Sequence, residues 1–126
     1  MTPIPKAENN TTNTILWALQ VLVALAFLAA GFSKLSGQPA MVAAFAKLGA
    51  GQWFRYITGG IEIVSSVLLV IPKSIPVGAL LLVCTMIGAV AAHLLVLGGT
   101  PIPPAVLLVL TAIIAWGRRD RLKALL

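Results

Sequence analysis

The chain has 126 residues, 60% of them hydrophobic and only 10% charged, with a formal net charge of +6 and a mean hydropathy of +1.03. A soluble domain carries about 25% charged residues, so too little polar surface is available to cover a water-soluble globule, and the chain reads as an integral membrane protein. The positive charge does not mark a nucleic-acid binder: Arg118, Arg119, Arg121 and Lys123 follow the last apolar run, where basic residues orient a span and meet anionic headgroups, and no basic surface is left for nucleic acid.

Residues 1–14 form a polar lead-in with prolines at 3 and 5 and an Asn/Thr run suited to capping a helix. Residues 15–35 are an apolar run longer than a signal-peptide core and closed by Lys34, which predicts a retained membrane helix. The stretch 36–53 is a glycine-containing loop in which Met41, Phe45 and Leu48 recur at helical spacing, the pattern of a short amphipathic helix lying at the membrane interface. Trp53, Phe54, Arg55 and Tyr56 then mark a membrane boundary.

The second span is predicted over 55–71, the third over 77–97 and the fourth over 104–116, with tight turns at 72–76 and 98–103. Prolines open the third and fourth spans, where a missing N–H does no harm. The fourth is short, and snorkelling arginines at its end would extend it. Short connections make sequential neighbours antiparallel, so the fold class is all-α: an integral membrane four-helix bundle with a short interfacial helix between helices one and two. The chain divides into a polar tail, 1–14, a membrane domain, 15–117, and a basic tail, 118–126. The end holding both termini and the 72–76 turn carries Lys6, Lys73, Arg118, Arg119, Arg121 and Lys123, against Lys34, Lys47 and Arg55 at the other. That balance places both termini in the cytoplasm.

Glu62 stands out among the three acidic residues, because Glu8 and Asp120 lie in the polar tails. An ionised carboxylate in a span costs about 2.5–3.5 kcal/mol unless it is compensated. The candidates to compensate it are Lys34, Arg55 and His93. Helical rise puts Glu62 about 10 Å inward from Arg55, and His93 about 6 Å inward from the end of helix three. Three helices thus bring ionisable groups to one leaflet. At 100° per residue, Arg55, Thr58, Gly59, Glu62, Ser65 and Ser66 share a face of helix two, opposite Ile57, Ile61, Ile63, Val64, Val67 and Leu68. Gln20, Val23, Phe27, Ala30 and Lys34 share a face of helix one, and Gly78, Thr85, Gly88 and Ala92 line one side of helix three, where close packing is expected.

Other chemistries find little support. The one cysteine, Cys84, forms neither an internal disulfide nor a CxxC pair. One His, one Cys and one buried Glu on separate segments have no metal-site spacing, and haem would rest on His93 alone. Trp17, Trp53 and Trp116 read as belt residues.

The pattern Gly31-Phe32-Ser33-Lys34-Leu35 resembles the G-x-x-K-L motif of the DoxX-like membrane proteins. Gly59-Gly60-Ile61-Glu62 is similar to that family's G-x-x-E, and Ala91-Ala92-His93 to its A-H. The resemblance implies a four-helix bacterial inner-membrane protein, often associated with redox systems, among them a quinone-reducing oxidase subunit and oxidative-stress complexes. Distant relatives assist the assembly of other membrane proteins. The cysteine pairs of some redox-linked relatives are missing.

Two readings of the polar cluster Lys34, Arg55, Glu62 and His93 follow. In the first, Glu62 and His93 bracket a ligand pocket in an accessory subunit of a redox system. No cofactor motif is evident; a quinone carbonyl would accept a hydrogen bond from His93 or Lys34 while Glu62 exchanges a proton. In the second, the cluster fixes helix register in a non-enzymatic scaffold or assembly factor, and the surface binds a partner membrane protein. The bilayer is the constant partner in both, and oligomerisation is left open; a small-solute path would require it.

Overall fold

A computed structural model describes residues 10–126. The polar tail therefore lies outside the described residues as far as position 9, with Lys6 and Glu8. Among the described residues there are helices and turns and no strand. Helix α1 is Asn10–Leu35, α2 is Pro39–Leu48 and α3 is Gln52–Leu68. Helix α4 is Ile75–Ala92 and runs directly into a π-helical turn, His93–Leu97. Helices α5, Ile102–Gly117, and α6, Arg119–Leu125, complete the chain.

Sequence chemistry accounts for the boundaries. Pro39 begins α2, where an N–H would have no partner, and Gly49 ends it with φ +79°, its amide returning to the Ala46 carbonyl. At the end of the π turn the Gly98 N–H reaches back five residues to the His93 carbonyl at 3.0 Å. Asn10 to Thr14 already belong to α1, so the expected cap around Thr14 is helical. Thr14 donates its hydroxyl to the Asn10 carbonyl within that helix.

Helix α1 packs on α3 and α5, and α4 packs on the same two, so α1, α3, α4 and α5 surround one core. Val23, Ala24 and Phe27 of α1 meet Ala79, Leu82 and Met86 of α4 and Ile114 of α5 there, with Leu69 closing one end. The buried residues of α3 are Arg55, Gly59, Glu62, Ser65 and Ser66, the face read from the sequence. The outside is apolar: Leu22, Leu25, Phe32, Val64, Ile87, Val109 and Trp116 are all exposed. Among the described residues two helices are long and apolar enough to cross a membrane, Asn10–Leu35 and Ile75–Leu97. Ile102–Gly117 with Arg119–Leu125 makes a third if that pair, bent by 59°, is taken as one span. Helix α3, at 17 residues, is shorter than either of the two spanning helices.

Two expectations are corrected. The small residues of α4 do not form its packing face. Gly88 is exposed with open space beside it, and only Gly78 sits at a close approach, to Ser65 and Leu69. The buried stripe is Ile75, Ala79, Leu82 and Met86, because large apolar side chains fill the core and draw that side inward. The C-terminal basic stretch is also no simple tail: it forms α6, and Arg118 at the bend is fully buried instead of snorkelling outward.

The tightest helix contact is between α1 and α3. A Cβ on Gly31 would lie 2.7 Å from Ile63 Cγ1 and 2.8 Å from the Gly59 carbonyl. A Cβ on Gly59 would lie 2.9 Å from Lys34 Cβ and 3.0 Å from the Gly31 carbonyl. The two backbones touch because neither residue has a side chain. Gly31→Ala and Gly59→Ala should each destabilise the protein by about 1–3 kcal/mol through this overpacking. Gly60→Ala, which meets nothing within 4 Å, should be neutral or stabilising by up to about 1 kcal/mol. Unfolding in detergent micelles measures all three.

Candidate functional site

The Gly31–Gly59 contact decides what lies beside Glu62. Lys34 is one turn beyond Gly31 on α1, and Glu62 is one turn beyond Gly59 on α3. With the backbones touching, Lys34 Nζ reaches Glu62 Oε1 at 2.7 Å. The Glu62 side chain is 1% exposed and that of Lys34 is 16% exposed. The lysine thus keeps some access to the outside while the carboxylate is enclosed.

The other two members of the predicted cluster have different occupations. Arg55 is buried, but its Nη1 donates to the Lys34 main-chain carbonyl and its Nε to Gln52 Oε1 at 2.7 Å. Its guanidinium also lies 4.4 Å from the Tyr56 ring centroid. Arg55 thus closes the C-terminal end of α1, where unpaired carbonyls and the helix dipole favour a cation. This is a buried cap, where an interfacial anchor was expected. His93 opens the π turn, and its Nδ1 lies 2.9 Å from the Ala89 carbonyl. A carbonyl only accepts, so Nδ1 carries the proton in this contact, and in that tautomer Nε2 is left as an acceptor.

Serine hydroxyls do not reach the carboxylate either. Ser66 donates to the Glu62 main-chain carbonyl at 2.7 Å, and the buried Ser65 Oγ has no partner among the described residues. Among the described residues, the ion pair with Lys34 is the compensation that Glu62 receives.

His93 belongs to a separate recess of about 360 Å³, between α2 and the π turn. Its wall includes Lys47, His93, Leu97 and Thr100, and Glu62 is not part of it. The structure thus joins Lys34, Arg55 and Glu62 at one helix crossing and places His93 in another setting.

A second polar cluster went unread in the sequence. At the end of the fold nearer the C-terminus, Arg118 Nε donates to Gln20 Oε1 at 2.8 Å, and Gln20 Nε2 donates to the Leu69 carbonyl at 2.9 Å. Arg118 Nη1 donates to Asn13 Oδ1 at 2.9 Å, and its guanidinium lies 5.6 Å from the Trp17 ring centroid. Gln20 and Arg118 are both fully buried. One arginine therefore ties the end of α5 to α1, and through Gln20 to the end of α3. The available signal was Gln20 itself, an amide on the inward face of α1 that needed a buried partner.

The sequence model of the DoxX-like family matches residues 18–115. No curated protein and no solved structure matches the chain.

Unequal exposure predicts unequal costs at the ion pair. Lys34→Met leaves an enclosed carboxylate without a counter-charge and should cost about 3–5 kcal/mol. Glu62→Leu leaves a lysine that can extend toward the helix end, and should cost clearly less. Reversible unfolding of the two single variants reads the difference. Gln20→Leu removes the acceptor of Arg118 and the donor to Leu69, and should cost about 1–3 kcal/mol in the same assay.

Proposed function

The chain belongs to the DoxX-like family, and from that premise we propose that it is an accessory subunit of a membrane complex that binds a partner and carries out no chemistry at Glu62. The observation behind this reading is the enclosure of Glu62. A carboxylate 1% exposed and ion-paired at 2.7 Å has its charge met inside the protein. It lines no part of the recess that holds His93, so the two groups are not arranged to bracket one ligand.

In this proposal α1, α3, α4 with its π turn, and α5 form a four-helix transmembrane bundle. Helix α3 would span about 25 Å at 1.5 Å per residue, its charges turned inward. Helix α2, with Phe45 buried and Ala43 and Lys47 exposed, would lie along the interface. The basic residues of the 72–76 turn and of α6 favour both termini in the cytoplasm of a bacterial inner membrane. The redox setting comes from the resemblance, and there the subunit would hold an electron-carrying partner in place. Whether that partner or this chain meets a quinone is read out by the same experiment.

The test replaces the ion pair by an apolar pair. Lys34→Met combined with Glu62→Leu should leave stability within about 1 kcal/mol of native or above it, because a well-packed apolar pair substitutes for a buried ion pair. Cross-linking in native membranes, followed by purification and mass spectrometry, should recover the same partner with the double variant as with the native chain. A double variant that folds but loses its partner, or that loses a quinone bound by the native chain, contradicts the proposal.

A further inference from the structure

We propose that the recess between α2 and the π turn binds a phospholipid whose headgroup carries a hydrogen-bond donor beyond its phosphate. Lys47 Nζ donates to the Leu97 carbonyl at 3.1 Å, which holds the ammonium at the rim and leaves two N–H groups to give. The described carboxylates cannot neutralise it: Glu62 is paired with Lys34, and Asp120 is on α6, toward the opposite end of the fold. Among the described residues the recess therefore presents a cation with no carboxylate beside it, which calls for an anion. Thr100 adds a second donor. Its Oγ1 accepts from the Ile102 N–H at 3.2 Å, so its own proton is available to a phosphate oxygen.

His93 sets the further requirement. Its Nδ1–H is committed to the Ala89 carbonyl, so in the Nδ1–H tautomer Nε2 offers the recess an acceptor. An acceptor suits the ammonium of ethanolamine or the hydroxyl of glycerol and gains nothing from trimethylated choline. The edge of the recess formed by Gly98 and Gly99 leaves room for such a group, since both are exposed and nothing lies within 4 Å of where their Cβ atoms would be. The level is that of headgroups. Trp53 and Tyr56, at the start of α3 directly after α2, are 59% and 50% exposed, as aromatic residues are at the membrane interface. That placement favours a lipid phosphate over a free one.

Native mass spectrometry of the full-length, delipidated chain in detergent, titrated with phosphatidylethanolamine or phosphatidylcholine, tests this. The native chain should bind phosphatidylethanolamine more tightly. Lys47→Ala should weaken both lipids about tenfold, the size of one charge-assisted hydrogen bond, and Lys47→Arg should restore them. His93→Ala should weaken phosphatidylethanolamine and leave phosphatidylcholine unchanged. Lys73→Ala, in the turn at the opposite end, should change neither, and thermal melting should show all variants folded, since the exposed Lys47 makes no ion pair among the described residues. Equal lipid binding by native and Lys47→Ala chains overturns the proposal. So does equal preference for the two lipids, or displacement of bound lipid by inorganic phosphate.

Discussion

An acid buried among apolar helices must meet a positive charge inside the protein, and here that requirement is met at one helix crossing. Two glycines let α1 and α3 touch through their backbones, and the touch brings Lys34 to Glu62. Without close approach the lysine would run out along α1 and the carboxylate would remain uncompensated. Arg55 then caps α1 from α3, so the same pair of helices is fastened twice within a few residues. The serine face of α3 is turned inward as a consequence, and Gly78 lets α4 come against it near Ser65 and Leu69.

The far end of the fold has its own fastening. Arg118, Gln20 and the Leu69 carbonyl connect the ends of α5, α1 and α3. Between these two polar clamps lies an apolar core of Val23, Phe27, Leu82, Met86 and Ile114. In lipid, apolar side chains gain little by leaving the solvent, so close packing and polar contacts carry helix association. A design with polar groups at both ends and an apolar exterior follows that logic. It also explains why the charged groups of α1 and α3 point at each other: an ion pair directed inward leaves the outer surface apolar.

Much of this was legible in the sequence because the signals were strong and local. Glu62 in an apolar run demanded a partner, and the hundred-degree spacing put it on the buried face of α3 with Arg55, Ser65 and Ser66. The order of G-x-x-K-L, G-x-x-E and A-H gave the family before any coordinates. What periodicity could not give was depth-resolved pairing. His93 and Glu62 fall at similar depth, yet depth does not fix which helices touch, and the π turn holds His93 beside α2. Small residues on α4 suggested a packing stripe, but the large apolar residues on the other side determined it. Arg118 resembled its solvent-facing neighbours in the sequence. Only the 59° bend between α5 and α6 reveals why it turns back into the fold.

The central claim is that Lys34 and Glu62 act as one energetic unit that holds α1 to α3. A double-mutant cycle on Lys34→Met and Glu62→Leu, read by reversible unfolding in detergent, measures it directly. The account predicts that the double variant is more stable than the sum of the single losses allows, by about 2 kcal/mol or more. Additive losses would mean that the two side chains are neighbours without being partners, and would contradict it.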